Sequence, residues 1–371
     1  MKVSKNKLVI LIVAIVIVAT VGICLFIKYQ TYDYMEIAKT YENSSKDNAN
    51  YQYCLNGILR YSRDGIAMLD DVGREKWNQP CQMSNPIVET NVDSGIVADK
   101  GGTSILVFNR KGIKGEIRTT KTIEKASVSS QGIVGAILKD EETPLVMCYD
   151  AKGNILVEHE TTFGTTGYPV DIALSEDGKT MLVSYLCTEG NTVLTKIAYY
   201  YFGNSGEQKD NKAVYQTEMK DTVVPIVGFM KKDISVLIAD NALVFCQGLK
   251  KPKEVARVEL TSEIQSVAYD DEYVAFLLKN SETGAYNLEL YNTKGKQVTS
   301  VTVDKEYKDM KIMDGQIMMY DGKLCSIYHK DGVHKYEGKM EENIMEIFPI
   351  SGLNRYMVIN ASGFHEVQLA N

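Results

Sequence analysis

The side chains best suited to metal binding are few in this sequence. It contains four histidines, which are His159, His329, His334 and His365. Only His329 and His334 lie close together, on either side of one turn. Two imidazoles without a third ligand make a poor metal site, because zinc sites use three or four protein ligands. We therefore expect both to be solvent-exposed turn residues, and we predict no bound metal and no cofactor.

Sequence motifs of known catalytic machinery are also missing. There is no Gly-x-Ser-x-Gly nucleophile turn, no phosphate-binding Gly-x-x-x-x-Gly-Lys loop and no His-Glu-x-x-His helix. The Ser-x-x-Lys run at Ser4–Lys7 lies inside a basic cluster near the amino terminus, where its lysines set membrane topology. The sequence therefore predicts a protein that is not an enzyme.

The chain has seven cysteines, and none belongs to a Cys-x-x-Cys motif. Most of them fall within apolar strand-like stretches, where a cysteine behaves as a small buried hydrophobe. Cys54 and Cys81 flank the first repeat described below and are the pair that could form a disulfide. The sequence leaves this question open.

The net charge is acidic, at −7 for the whole chain and −11 once the four lysines of residues 1–28 are set aside. Nucleic-acid binding requires a basic surface, so it is excluded as a function. Acidic residues recur in loops between the second and third strands of the predicted units, and lysines recur between the third and fourth. One interpretation is that such residues suit hairpin turns and solubility. The other is a disc with an acidic face for a basic partner and a partly basic face towards anionic lipid.

An uncharged loop at Thr161–Pro169 contains two aromatic residues and two glycines, a composition suited to a contact surface. Its aromatic residues could equally tuck under a neighbouring unit. The candidate partner-binding residues from this loop and the acidic loops are Phe163, Tyr168, Asp99, Asp140, Glu141 and Asp321.

The elements that position these loops follow from a repeat. Gly65–Trp77 reads as a strand, a tight Asp/Gly turn and a return strand. The same pattern of strand, turn and return strand recurs along the chain, with turn glycines about 37 to 53 residues apart. These are Gly73, Gly112, Gly153, Gly206, Gly248, Gly295 and Gly332. A period near 40–45 carried by short strands is typical of a β-propeller. We predict an all-β fold of about eight four-stranded blades, with seven as the alternative.

The amino-terminal region predicts a membrane anchor. Residues 1–7 form a basic cytoplasmic tail, and Leu8–Ile27 is a run of 20 uncharged residues. A helix of that length spans about 30 Å, the thickness of the bilayer core. The lysines before it place the amino terminus in the cytoplasm and the rest of the chain outside the plasma membrane. A cleaved signal peptide or a lipoprotein signal at Cys24 fits less well, because no good processing site follows.

The remaining boundaries follow from composition. Residues 28–50 are interpreted as a stalk and linker, with residues 29–41 extending the helix, and the propeller as residues 51–371. The last unit, Ile344–Leu369, provides three strands. We expect the missing outer strand to come from the segment just after the linker, because closing the ring removes exposed sheet edges.

The Gly65–Trp77 run resembles the repeat of quinoprotein-type propellers, Gly-x-x-x-Leu-Asp-x-x-Gly-x-x-x-Trp. That group includes non-enzymatic eight-bladed scaffold lipoproteins of outer-membrane assembly. Ser175–Lys179 is similar to the turn of WD40-type propellers, and the layout resembles single-span, membrane-anchored propellers of unknown function from Gram-positive anaerobes. A quinoprotein dehydrogenase would need two adjacent cysteines, which this chain lacks.

These observations predict an interaction scaffold or sensor in the cell envelope, whose partner is another envelope or membrane protein. One alternative is a receptor that binds a glycan or peptide in the central channel. Another is a hydrolase or lyase that uses channel carboxylates. We favour the scaffold over the enzyme because the first strands of the units predict a channel lined by apolar and small residues. Examples are Ala126–Ser129, Ile172–Ser175 and Ile264–Ala268.

Overall fold

The computed structural model describes residues 5–42, 49–139, 143–162, 166–202, 213–231 and 233–371. Within these ranges the chain is built almost wholly from short β-strands, with one α-helix, α1, at Lys5–Tyr29. The abundance of valine, isoleucine and tyrosine favours strands, because β-branched and aromatic side chains pack well on a pleated surface.

The described strands form eight antiparallel sheets of four strands each, which are the blades of a propeller. The prediction of eight blades rather than seven is thereby confirmed. In chain order the strands are β1 (Tyr34–Glu42), β2 (Asn50–Cys54), β3 (Gly57–Tyr61), β4 (Gly65–Leu69), β5 (Glu75–Pro80), β6 (Pro86–Thr90), β7 (Gly95–Asp99), β8 (Ser104–Asn109), β9 (Gly112–Arg118), β10 (Thr122–Val128), β11 (Val134–Lys139), β12 (Leu145–Tyr149), β13 (Ile155–Glu160), β14 (Tyr168–Leu174), β15 (Thr180–Glu189), β16 (Thr192–Tyr201), β17 (Tyr215–Lys220), β18 (Ile226–Met230), β19 (Ile234–Ile238), β20 (Ala242–Gln247), β21 (Lys253–Glu259), β22 (Glu263–Tyr269), β23 (Tyr273–Lys279), β24 (Tyr286–Asn292), β25 (Gln297–Val303), β26 (Asp309–Met313), β27 (Gln316–Asp321), β28 (Leu324–His329), β29 (His334–Lys339), β30 (Glu346–Pro349), β31 (Arg355–Asn360) and β32 (Gly363–Ala370). Blade one contains β2–β5, each later blade contains the next four strands, and blade eight combines β30–β32 with β1.

The repeated glycine turns of the described residues lie between the third and fourth strands of the blades, and Gly206 lies outside the described residues. In blade one, Asp70 Oδ1 accepts hydrogen bonds from the backbone N–H groups two and four residues further on, at 3.1 and 2.9 Å, and Gly73 has a φ of 82°. Asp150 and Asn292 accept the same pair of bonds in blades three and six. Each of these hairpins also contains a bulge. A bulged turn of this kind needs a residue with positive φ, which favours glycine. The repeat is therefore a requirement of the outer hairpin.

Apolar side chains of neighbouring blades pack against each other and form the cores of the molecule. Strands in the middle of a blade, such as β7 and β12, have no exposed residue. Ile96 and Ile105 of blade two share one core with Ala136 and Met147 of blade three. Full burial of one aliphatic side chain contributes about 1.5–3 kcal/mol, so each blade depends on its neighbours for stability.

The ring is closed by the amino-terminal part of the chain. β1 pairs antiparallel with β32, from Tyr34 opposite Ala370 to Glu42 opposite Gly363, and supplies the outer strand of blade eight. The expected closure is therefore present, but the strand comes from before the linker and not from after it. The interpretation of residues 28–50 as a stalk was wrong for Tyr34–Glu42, and residues 43–48 lie outside the described residues.

Long-range contacts explain why β1 was missed. Most β1 side chains are exposed, so the strand lacks the alternation that marks a half-buried strand. Its place is set instead by the ladder to β32 and by Glu366, whose carboxylate accepts from the Tyr41 hydroxyl and the Arg355 guanidinium, both at 2.7 Å. These partners lie more than 300 residues away from β1 in the chain.

Among the described residues, no helix combines the length and the apolar character needed to cross a membrane. α1 continues directly into the propeller. Its last residue is Tyr29, and only four residues separate it from β1.

Cys54 and Cys81 both carry free thiols and pack in the core between blades one and two. Burial raises the pKa of the Cys54 thiol to about 12. The strand cysteines are buried, in agreement with the prediction; they are Cys148, Cys187, Cys246 and Cys325.

Candidate binding site in the central channel

The two faces of the disc differ in the loops that form them. Because neighbouring strands in a blade are antiparallel, the loops between first and second strands emerge on the same face as those between third and fourth strands. β1 starts at this face, since Tyr34 pairs with the end of β32 at Ala370. We name it the helix-side face, because α1 ends just before β1. The opposite face, formed by the second-to-third loops and the connections between blades, is named the far face.

Three of the residues predicted to contact a partner, Asp99, Tyr168 and Asp321, lie on the far face. Asp99 is buried there, and its Oδ1 atom accepts backbone hydrogen bonds from Ser84 and Asn85 at 2.9 and 2.8 Å. Its carboxylate therefore has a structural role within blade two. Phe163, Asp140 and Glu141 lie outside the described residues.

Two further candidates on the far face have defined neighbours. Tyr168 donates its hydroxyl hydrogen to Glu124 of blade three at 2.8 Å. Asp321 lies at the end of β27, where one carboxylate oxygen is 3.5 Å from Lys308 Nζ. A partner surface built on these residues stays a prediction.

The two histidines that flank a turn have separate partners. His329 Nδ1 lies 2.6 Å from Asp331 Oδ1, and the His334 ring stacks on Tyr328 with 4.6 Å between ring centroids. Both rings are half-buried and belong to strand ends, His329 to β28 and His334 to β29, so the expectation of solvent-exposed turn residues was wrong.

Acidic residues surround the mouth of the channel on the helix-side face. They come from the loops between first and second strands and are Asp93, Glu176, Asp177, Asp233, Asp270, Asp271, Glu272 and Asp314. Lys179 lies 3.8 Å from Asp177, and Lys231 lies 3.7 Å from Asp271. The lysines used to predict a basic face lie further out, in the loops between third and fourth strands. The helix-side face therefore has an acidic centre and a partly basic rim, which the prediction of one acidic and one basic face did not include.

The channel itself is lined by the first strands of the blades, and neighbouring first strands such as β6 and β10, or β10 and β14, contact each other. β6, β10 and β14 place Glu89, Lys125 and Asp171 in this lining. Lys125 Nζ lies 3.2 Å from Asp171 Oδ1. Glu89 opens into the channel space but is surrounded by protein on its other sides. Burial and the neighbouring charge of Asp171 raise the pKa of Glu89 to about 7, and Lys125 offsets only part of this rise.

Asp171 links three blades. Its Oδ1 atom faces Lys125 of blade three, and its Oδ2 atom accepts the backbone N–H of Val227 in blade five at 2.9 Å. The pKa of Asp171 is raised, mainly because the carboxylate is buried, while Lys125 acts in the opposite direction.

An equivalent arrangement lies four blades away, on the opposite side of the ring. Glu346 of β30 faces Lys311 of blade seven at 2.6 Å and accepts the backbone N–H of Tyr53 in blade one at 3.0 Å. It also accepts the N–H of Ile347 at 2.9 Å. The channel thus contains two carboxylate–lysine links between first strands.

Tyr269 of blade six reaches the same region as Glu89. Burial raises the pKa of its hydroxyl, and the charges of Glu89 and Asp171 add to this rise. The ring fits because residue 228 is glycine, since a Cβ atom there would lie 2.6 Å from the Tyr269 hydroxyl oxygen. A larger residue at 228 would therefore displace the tyrosine.

Open space connects these groups to the helix-side face. A cavity of about 280 Å³ is lined by Glu89, Tyr269 and Asp270, among others. A second cavity of about 470 Å³ lies at the acidic mouth, and both are bordered by Asn91, Phe229 and Asp271. The arrangement provides a cleft with a carboxylate and an aromatic ring at its base, a suitable form for binding a small organic ligand.

The expectation of an apolar channel lining was wrong. Ala126 and Ile172 are buried in the cores between blades, and their strand neighbours Lys125 and Asp171 point to the channel side. Successive side chains of a strand point to opposite faces. The polar residue just before each of these two apolar runs was therefore the signal in the sequence for a polar channel lining. The clustering of Glu89 with Tyr269 carried no local signal, since these residues are 180 positions apart.

Fold and site together define an eight-bladed β-propeller with a polar central channel. The sequence profile of a family of unknown function (DUF5711) matches residues 28–369, and the chain belongs to this family. A search of curated protein sequences finds no match.

Two solved structures illustrate the fold. BamB from Moraxella catarrhalis is similar with a TM-score of 0.52 and 12% identity, over 90% of this chain and 99% of that one. The computationally designed Ika8 protein is similar with a TM-score of 0.56 and 12% identity, over 92% of this chain and 99% of the designed one. At this level of identity the likeness concerns the fold alone.

Proposed function

We propose that the protein is a non-catalytic, membrane-anchored propeller that acts as an interaction scaffold or sensor in the cell envelope. Leu8–Ile27 would cross the plasma membrane with the amino terminus in the cytoplasm and the propeller outside. The anchor is supported by the amino-acid sequence, through the basic tail and the uncharged run that follows it. The partner would be another envelope or membrane protein.

The observation that carries the scaffold role is the junction between α1 and the propeller. Lys28 Nζ lies 2.5 Å from Asp331, and Lys335 Nζ donates to the backbone carbonyl of Lys28 at 2.6 Å. The backbone N–H of Tyr32 donates to the carbonyl of Lys335 at 2.9 Å, and the Tyr32 hydroxyl accepts from Asn354 at 2.7 Å. These contacts fasten the end of the helix to blades seven and eight. A scaffold benefits from such a mount, because it presents its loops in one orientation.

This junction also assigns different tasks to the two faces. With α1 in a membrane, the helix-side face lies nearest the lipid, and its rim lysines would approach anionic headgroups. The far face would point away and remain open to a protein partner. We propose the far-face loops, with Tyr168, Asp321 and the predicted Phe163, Asp140 and Glu141, as the contact surface.

In-cell crosslinking of the full chain, followed by purification and mass spectrometry, tests the scaffold role. We expect a partner that is captured by the wild type and lost when four far-face carboxylates are changed to lysine (Asp64, Glu189, Glu282 and Asp321). The matched control carries four such changes on the helix-side face (Asp71, Asp93, Glu176 and Glu272) and should keep the partner. Loss in both variants, or capture by neither the wild type nor the control, would rule out a far-face scaffold. A Phe163→Ser and Tyr168→Ser double variant then tests the uncharged loop.

The anchor is tested separately by washing membranes with alkaline carbonate. The full chain should stay in the membrane fraction, whereas an Ile15→Lys and Val18→Lys variant should be released, because charges in a span cost about 2.5–3.5 kcal/mol each. Protease added outside the cell should reach the wild-type propeller. Release of the wild type would show that the run is no anchor.

A second role, a receptor for a small envelope ligand such as a glycan or peptide, is favoured by the channel cleft around Glu89. A carboxyl pKa near 7 also suits acid–base catalysis. We propose binding rather than catalysis, because the Lys125 and Asp171 side chains are engaged with each other. Thermal-shift screening of the full chain against envelope fragments tests this role, and a set without any stabilising compound would argue against it.

A further inference from the structure

Glu89 is a channel carboxylate that has no counter-ion among the described residues. Glu89 makes no hydrogen bond or ion pair within the described part of the chain. Lys125, the basic group that offsets part of the rise in its pKa, lies 3.2 Å from Asp171. Glu89, Asp171 and Lys125 therefore form a group of two carboxylates and one ammonium group, and a bound cation would remove this imbalance.

An aromatic ring stands beside this carboxylate. Tyr269 approaches Glu89 and Asp171 from blade six, in space left open by Gly228. A carboxylate next to an aromatic ring suits organic cations, because the ring face attracts positive charge in addition to the ionic contact. No group of three metal-ligating side chains occurs among the described residues. The surroundings therefore favour an organic cation over a metal ion.

The shape of the cleft restricts the ligand further. The cavity at Glu89 has a volume of about 280 Å³ and opens into the mouth through a border shared at Asn91, Phe229 and Asp271. The mouth itself is acidic along its edge. A flexible chain that ends in a primary ammonium group fits this path, since the ammonium reaches Glu89 while the chain extends to the mouth.

We infer that the channel mouth binds the primary ammonium group of a flexible organic cation, with Glu89 as its ionic partner and Tyr269 as the adjacent ring. This inference rests on the receptor role proposed above and names its ligand chemistry. Such a group occurs on free polyamines and on lysine side chains of peptides. The two sources are distinguished by the compounds used in the test.

Isothermal titration of the full chain at pH 8 provides the test. The probes are cadaverine, as a free diamine, and Nα-acetyl-lysinamide, as a peptide lysine. Nα-acetyl-norleucinamide lacks the ammonium and is the neutral control. We expect saturable binding of at least one amine, no binding of the neutral compound, and an affinity at least about tenfold lower in Glu89→Gln, as for the loss of a charged hydrogen bond.

Two further variants separate charge from folding. Glu189→Gln makes the same charge change on the far face and should bind like the wild type. Glu89→Asp keeps the charge and should retain part of the affinity. Circular dichroism of each variant confirms that it is folded, which is expected because Glu89 makes no hydrogen bond in the described chain.

The pH dependence gives an independent readout. Between pH 8 and pH 6 the wild type should lose affinity for the amine, because Glu89 becomes protonated. Glu89 faces Asp171, Lys125 and Tyr269, so the Glu89→Gln variant is needed to separate its titration from theirs. In that variant the affinity should change little over the same range.

Several results would overturn the inference. Equal binding by Glu89→Gln and the wild type would remove Glu89 from the site. Binding of the neutral compound as tightly as the lysine derivative, or binding of an uncharged envelope fragment alone, would refute the ammonium ligand and leave the receptor role standing. If no amine and no envelope fragment binds, both fail.

Discussion

Two carboxylate–lysine links on opposite sides of the channel share one plan and differ in what surrounds them. In each, an acid on a first strand faces a lysine of the preceding blade and accepts a backbone N–H of the following blade. Both acids are buried, and each also accepts the backbone N–H of the residue that follows it, which is Ile347 for Glu346 and Ile172 for Asp171. Asp171 has Glu89 and the open cleft beside it.

This difference indicates a structural role for the Glu346 link and a binding role for the region beside the Asp171 link. At Glu346 the charge of Lys311 and the two N–H donors satisfy the carboxylate, so the link holds blades seven, eight and one together at the point where the ring closes. At Asp171 the same link engages Lys125, and Glu89 is left with unbalanced charge. Removal of the Glu346 carboxylate should therefore lower the stability of the folded protein, and removal of the Glu89 carboxylate should raise it.

The largest effect is expected for Glu346→Ala. It leaves the Lys311 ammonium and the Tyr53 N–H without their acceptor in a buried setting, and removal of one partner of a buried ion pair costs about 3–5 kcal/mol. Urea unfolding followed by circular dichroism measures this loss. A Lys311→Met and Glu346→Leu double variant should recover much of it. If Glu346→Ala unfolds at the wild-type urea concentration, the link has no role in closing the ring.

Glu89→Gln should raise the stability of the folded protein at alkaline pH, whereas Glu346→Ala lowers it. The folded-state pKa of Glu89, about 7, lies above the ordinary value of a glutamate. The folded state therefore holds this proton more tightly than the unfolded state, and the resulting stability is lost as the pH rises through 7. At pH 8 the variant should melt at a higher temperature than the wild type, and the gap should shrink towards pH 5. A lower melting temperature for the variant at pH 8 would place Glu89 among the structural carboxylates.

Gly228→Ala should change stability least. The new methyl group would meet the end of the Tyr269 side chain at 2.6 Å, and a flexible side chain can move away. The ring would leave its place beside Glu89, so amine binding should weaken severalfold while the urea midpoint changes little. Titration calorimetry and urea unfolding of one preparation compare the two effects. Unchanged amine binding would remove Tyr269 from the site.

The parts of the fold that were predictable are those with local signals. The turns were predictable because Asp70, Asp150 and Asn292 accept hydrogen bonds from the backbone of their own loops and a glycine adopts the positive φ. Strand β1 was missed because it has no buried face of its own and becomes a strand only against β32. Of the candidate contact residues, Asp99 was chosen for its charge, but the structure uses it to hold the backbone of Ser84 and Asn85.

By itself, the sequence determined the repeat and the all-β class and favoured eight blades over seven, because alternation and turn chemistry act over a few residues. Only the tertiary structure decided which segment closes the ring and which side chains meet in the channel. Glu89, Asp171 and Tyr269 come from three blades, and ring closure brings them together. Their charge balance, and with it the candidate site, depends on distances that no local pattern encodes.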